Sequence, residues 1–277
     1  MGTRGIQRGL YYLTKYQKAL NFIASDKQIY QRGIGTIKKY GDLYKLTLHK
    51  VIREAGWEEI NDSSVLEAKT KKNTVKLDNN ISRAKSRIFE IAMCNDWDYF
   101  ITCTLDKQKY ERTDLDAFRK DLAHFIRNQR IKYQCDIRYL LIPELHSDGK
   151  SWHMHGLLGG VKDDMIADFD NTVPMKIRIL GYKNYPDYAK KFGYVSMGTI
   201  KNKDAIAKYI TKYINKDIQK SVTELGKHLY YCSRGLNKAV KIKQGILRDY
   251  PAQWHYENDY VKIYWCKEFE EVNKYII

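Results

Sequence analysis

The tract Trp152-His153-Met154-His155-Gly156 is the first place where residue type and spacing together point to chemistry. Side chains on an extended strand alternate between faces, so His153 and His155 project together and Met154 projects opposite. Two adjacent imidazoles can share one metal ion. A third ligand lies upstream, because Glu144 falls near the end of a strand-like run that a turn through Ser147-Asp148-Gly149-Lys150 folds back towards the pair. The resulting two-His, one-carboxylate set leaves coordination positions open and suits Mg²⁺ or Mn²⁺ holding a phosphate. His146 and Asp148 compete with Glu144. Asp148 belongs to the turn, and His146 is expected to face opposite the neighbouring Leu145; Glu144 ranks first. An arbitrary H-x-H is more often a pair of half-exposed strand histidines, and the pattern gains weight only from what accompanies it.

What accompanies it is the helical segment Ala207-Lys-Tyr-Ile-Thr-Lys-Tyr-Ile-Asn-Lys216. At 100° per residue it carries three neighbouring stripes. Lys208, Lys212 and Lys216 form one, Tyr209 and Tyr213 the next, and Ile206, Ile210, Ile214 and Ile218 the third. The isoleucines require burial. Both phenols then stand at the rim between core and basic stripe, one turn apart. Lys212 and Lys216, each three residues after a tyrosine, can neutralise phosphate charge and favour a phenolate.

The elements that must position these groups are legible from about residue 80 onward. Ile81, Ala84, Ile88, Ile91 and Ala92 recur at helical spacing, and Trp97–Leu105 reads as a strand. Asp114 is a candidate N-cap for a helix whose Leu115, Phe118, Leu122, Phe125 and Ile126 keep one apolar face through about Arg130. Strand-like runs follow at Ile137–Leu145, His153–Gly160 and Gly193–Ile200, and a helix is expected over Lys203–Ile218. This order predicts an α+β fold, a ferredoxin-like antiparallel sheet with helices on one face, carrying N- and C-terminal additions. Three regions result: a basic segment 1–80 of no assigned role, a core domain 81–218, and an extension 219–277. Within the first, Leu43–Leu48 is a possible strand and the Lys69–Asn73 run reads as a solvated linker.

Composition narrows the partner. The 277 residues include 49 Lys plus Arg against 33 Asp plus Glu, a formal charge of +16. A polyanion is expected, nucleic acid before membrane. The basic excess concentrates in 201–248, where 12 basic and 3 acidic side chains are interleaved with Tyr209, Tyr213, Tyr230 and Tyr231. Within that stretch, Tyr230 and Tyr231 are candidates for stacking on bases, and Arg234 and Lys238 for pairing with phosphates. Five cysteines without a C-x-x-C spacing argue for reduced thiols. No apolar run approaches the roughly 20 residues of a membrane span, and no signal-peptide pattern opens the chain, so a cytoplasmic location is expected. Gly149-Lys150-Ser151 imitates the end of a P-loop, but Glu144 occupies the first-glycine position and the context is strand-turn-strand, so no nucleotide cofactor is expected.

Three ordered tracts resemble the motifs of HUH endonucleases: Phe100-Ile-Thr-Cys-Thr-Leu-Asp106, Pro143 to Leu157 with its two histidines, and Tyr209 to Lys216. More narrowly, the chain resembles rolling-circle replication initiators of single-stranded DNA phages, prophages and plasmids, of the two-tyrosine class, over about residues 80–218. The resemblance implies that the first tract supports the site, that His153 and His155 bind the metal, and that Tyr209 or Tyr213 attacks DNA. The implied partner is the single-stranded replication origin, with a host polymerase, and a helicase, acting on the product. A phage-encoded protein of this kind works in the cytoplasm of its bacterial host. Many relatives carry the acidic ligand eight residues before the first histidine, whereas Glu144 precedes His153 by nine. Two alternatives remain at this point: a non-catalytic nucleic-acid-binding module on a ferredoxin-like sheet, and a transposase of the same chemistry.

Overall fold

The computed structural model describes residues 29–30, 33–50, 53–54, 67–202, 206 and 228–277, with side chains at 33–50, 80–202, 206 and 228–277. The first elements are β1 (Ile29–Tyr30), β2 (Ile34–Tyr40), β3 (Leu43–His49) and β4 (Arg53–Glu54), followed by α1 (Glu67–Cys94). Then come β5 (Tyr99–Thr104), α2 (Leu115–Tyr133), β6 (Arg138–Leu145), β7 (Trp152–Gly159), β8 (Ala167–Asp168) and α3 (Met175–Ile179). The chain continues through β9 (Lys183–Asn184), α4 (Pro186–Lys191), β10 (Val195–Thr199), β11 (Tyr231–Cys232) and β12 (Val240–Ile246). It closes with β13 (Tyr256–Glu257), β14 (Val261–Cys266) and α5 (Phe269–Asn273). Two compact units result, Ser64–Lys238 and a second made of Met1–Ser63 with Ala239–Ile277.

The first unit is built on a seven-stranded sheet in the order β11-β6-β7-β5-β10-β9-β8, antiparallel at every pairing. Strand β5 forms because its aromatic and β-branched residues fit a pleated surface, with Ile101 and Cys103 buried on one face and Phe100, Thr102 and Thr104 half-buried on the other. Helix α2 starts where Asp114 Oδ1 accepts the backbone N–H of Ala117 at 2.9 Å. It stops at Gln134, whose φ of 48° is left-handed and whose N–H closes on the Arg130 and Ile131 carbonyls. Its apolar stripe, Phe118, Leu122, Phe125 and Ile126, packs with Ile101, Cys103, Met154 and Leu158 on one face of the sheet. On the other face α1 lays Ile81, Ile88, Ile91 and Ala92 against Leu140, Ile142 and Leu157, joined by Ile206.

The antiparallel α+β sheet is therefore present as the sequence pattern requires, with a difference in its covering: helices occupy both faces rather than one. The Lys69–Asn73 run is not a linker. It lies within α1, which begins at Glu67, because a charged stretch can continue a helix whose later turns supply the buried stripe.

The second unit holds the two-stranded pairing of β1 with β4 and a five-stranded antiparallel sheet in the order β12-β2-β3-β14-β13. Ile37 and Leu46, both fully buried, pack with Val272, Tyr275 and Ile276 at the C-terminal end of the chain. Sequence patterns alone separate residues 1–80 from 219–277, yet β12 and β14 pair with β2 and β3 in one sheet. All five cysteines are free thiols.

Candidate metal centre

The β6–β7 hairpin sets the site. Its register places Glu144 opposite His153, Ile142 opposite His155 and Leu140 opposite Leu157. Because opposed residues share a face, Glu144, His153 and His155 project from the side that carries α1, beyond the apolar layer of Leu140, Ile142 and Leu157. The spacing of nine between Glu144 and His153 follows from this register, since directly opposed residues here are separated by odd numbers. An acidic residue at position 145 would point to the other face.

The turn that closes the hairpin is held by Asp148. Its Oδ1 accepts the N–H of Lys150 at 2.9 Å and of Ser151 at 2.8 Å, and its Oδ2 accepts the Ser151 hydroxyl at 2.6 Å. The Ser151 hydroxyl first, then these backbone donors, hold the Asp148 carboxyl well below the usual carboxylate range. Gly149, at φ +66°, supplies the left-handed position. Further along β7, Gly156 is required by close approach: a Cβ there would lie 1.9 Å from the Leu140 carbonyl oxygen.

Within the site, Glu144 Oε2 lies 2.9 Å from His153 Nε2 and 2.7 Å from His155 Nε2. One ligand atom from each of the three residues falls within 4.8 Å of the others, a group able to hold a metal ion. Donors roughly 2.1 Å from a shared ion and at right angles lie about 3 Å apart, an edge close to the two Glu144–imidazole distances. The three side chains are only 13–22% exposed, enough to admit a ligand from one side.

Two neighbours orient the pair. Thr102 stands opposite His155 in the β5–β7 register, and its Oγ1 lies 3.0 Å from His155 Nδ1. A metal ion on Nε2 would leave the ring proton on Nδ1, where Thr102 Oγ1 would accept it. The Phe100 ring stacks on His155 with centroids 6.2 Å apart. Burial above all, then the charge of His153, lowers the His155 pKa to about 4 against an opposing pull from Glu144, so its imidazole is neutral and able to ligate near pH 7. The first tract singled out in the sequence thus contributes through Thr102 and Phe100. Neither residue type announces this by itself; only the strand register does.

His146 faces away from Leu145 and stands beside the site: its ring lies 5.1 Å from that of His153, edge to face, although it is outside the three-residue group. The cause is parity: residues 144 and 146 share one side of the chain.

Tyr209, Lys212, Tyr213 and Lys216 lie outside the described residues. Ile206, the first member of their isoleucine stripe, is 4% exposed and packs with Leu140, Ile142 and Leu157 on the imidazole side of the sheet. The segment 230–238 is not a loose loop. Ser233 N–H donates to the Tyr139 carbonyl at 3.0 Å, and Asn95 exchanges two hydrogen bonds with the backbone of Asn237. Tyr230 packs with the α1-side core and Tyr231 with the α2-side core, so the two rings serve opposite faces. Burial raises both phenols. Arg234 and Lys238 are exposed.

The class that fold and site define is an antiparallel α+β domain with a two-His, one-Glu cluster able to hold a metal ion. Residues 98–218, 121 of the chain's 277, match the family of replication-associated proteins described as ORF2/G2P. The matched stretch spans β5, the Glu144–His153–His155 cluster and both Tyr209 and Tyr213, and it is similar to that of a replication initiator. Comparison with curated proteins and with solved structures yields no match. Among the described residues no helix is long and apolar enough to cross a membrane.

Proposed function

We propose that the protein is a metal-dependent endonuclease and ligase that nicks single-stranded origin DNA to start rolling-circle replication. The phenol oxygen of Tyr209 or Tyr213 attacks the scissile phosphorus in line, the bond to the 3′ oxygen breaks, and that oxygen leaves as a hydroxyl. The phenol loses its proton, and the new phosphotyrosine ester keeps the strand's 5′ end. Glu144, His153 and His155 would hold Mg²⁺ or Mn²⁺, which would supply Lewis-acid stabilisation of charge on the phosphate oxygens. Lys212 and Lys216 add cationic stabilisation, and Thr102 holds His155 in its ligating tautomer. Return attack by a free 3′-OH on the phosphotyrosine reseals the strand. The ester conserves the energy of the broken linkage, so no nucleotide is consumed. A second tyrosine lets one phenol stay joined to DNA while the other cleaves the regenerated origin. Host polymerase extends the 3′-OH.

The observation that carries this reading is the metal-capable cluster projecting from the sheet face that buries Ile206, three residues before the first tyrosine of the stripe. Tyr230, Tyr231, Arg234 and Lys238 extend the DNA contact by stacking and phosphate pairing. The test is to mix the protein with single-stranded DNA and Mn²⁺ and look for an SDS-resistant adduct. Tyr209→Phe and Tyr213→Phe are each expected to retain some adduct and the double variant none. A double variant that still forms adducts overturns the assignment.

A further inference from the structure

A second site lies at the same end of the sheet, round its edge from the imidazoles. Trp152 precedes His153, and its side chain projects from the opposite face of β7. There it borders a cavity of about 410 Å³, within the range of small-ligand pockets, together with His228, Tyr231, Leu115, Asp114 and Asp116. The chemistry of this lining is specific. Three rings offer stacking surface, and the His228 and Tyr231 rings stand 5.9 Å apart. Two carboxylates lie beside them, which repel a phosphate but accept hydrogen bonds from a neutral donor. Basic groups flank the cavity rather than fill it. Arg119 stands with its guanidinium 5.7 Å over the Tyr231 ring and 3.7 Å from Asp116 Oδ1. Arg112, whose carbonyl accepts the Trp152 N–H at 2.8 Å, and Arg119 each have a guanidinium Nε that finds no hydrogen-bond partner among the described residues.

A planar, uncharged ring with donors on its edge, attached to an anionic backbone, is what such a cavity with such a rim accommodates. We propose that it takes one unpaired guanine of the DNA strand, with its N1–H and N2–H donors on Asp116, its ring against Trp152 and Tyr231, and the flanking phosphates on Arg112 and Arg119. Guanine alone among the four bases presents two adjacent donors to a carboxylate. The inference rests on the proposed DNA-nicking function and adds to it a determinant of sequence choice.

The test uses the full chain in EDTA, so that binding is read without cleavage. A randomised single-stranded 30-mer pool is selected on the wild-type protein, and a selected oligonucleotide is resynthesised with each guanine in turn replaced by inosine, which lacks the N2 amine. One replacement is expected to weaken wild-type binding about tenfold, the discrimination typical of a good base contact. The same replacement should leave binding to Asp116→Asn unchanged, which a merely structural role for Asp116 would not produce. Selection of no sequence, no inosine-sensitive guanine, or an equal inosine penalty in Asp116→Asn overturns the proposal. A parallel incubation of the selected oligonucleotide with Mn²⁺ keeps the two readings apart: absence of an SDS-resistant adduct removes the nuclease reading, while the inosine comparison still decides the guanine site.

Discussion

Replacing Thr102 by valine removes one hydrogen-bond acceptor and almost nothing else, which makes it the sharpest probe of how the imidazoles are held. Thr102 Oγ1 lies 3.0 Å from His155 Nδ1, while His155 Nε2 lies 2.7 Å from Glu144. An ion bound through Nε2 fixes the proton on Nδ1, and in the valine variant that N–H loses its partner in a site only 14% exposed. An unsatisfied buried donor costs roughly 1–3 kcal/mol, about 5- to 150-fold in an equilibrium constant. Loss of a partner behind a metal ligand weakens metal binding about 10- to 100-fold. Mn²⁺ titration by calorimetry should therefore find Thr102→Val binding weaker by roughly tenfold or more, with Thr102→Ser close to wild type and His155→Ala without binding. Thr102→Val binding Mn²⁺ within a factor of two of wild type, alongside an inactive His155→Ala, would falsify the orienting role and reduce Thr102 to a sheet residue.

Further outcomes follow from packing and charge. Ile88, fully buried between α1 and the sheet, should cost about 2–5 kcal/mol when truncated to alanine, read as a shift of the urea midpoint; a loss under 1 kcal/mol would mean that α1 is not packed there. Gly156→Ala places a Cβ 1.9 Å from a backbone oxygen of β6, so it should prevent the β6–β7 pairing and yield insoluble or unfolded protein, whereas a well-folded variant refutes the register. His49 has its pKa lowered to about 4 by burial first and by Lys45 and Lys38 next. Since the unfolded chain protonates it near 6.5 and the folded chain only near 4, stability is full above about pH 6.5 and declines as the pH falls towards 4. An NMR titration of His49 with a midpoint near 6.5 would contradict that environment.

The sequence is most informative where structure is local. The start of α2 follows from Asp114 and its apolar stripe, although the helix runs on to Tyr133 past the expected Arg130, and the hairpin follows from alternation around Ser147–Lys150, so the Glu144, His153 and His155 group is legible from the sequence. What escaped is set at long range. Pairing of β12 and β14 with β2 and β3 joins strands about 200 residues apart, and no local period encodes a partner at that distance. Thr102 and Phe100 look like ordinary strand residues until the β5–β7 register sets them beside His155. The charged start of α1 resembles a linker because its helical signal resides in the apolar residues that come later. Tyr230 and Tyr231 both read as candidates for stacking on bases, although strand alternation packs them against opposite cores.

Peptide mapping of a covalent complex tests most directly whether the imidazoles and phenols act together. After incubation with circular single-stranded DNA and Mn²⁺, then nuclease and protease digestion, the wild-type protein should yield a nucleotide-bearing peptide modified at Tyr209 or Tyr213. His153→Ala/His155→Ala should yield none. Modification at any other residue, or an undiminished yield from the double histidine variant, would contradict the shared site.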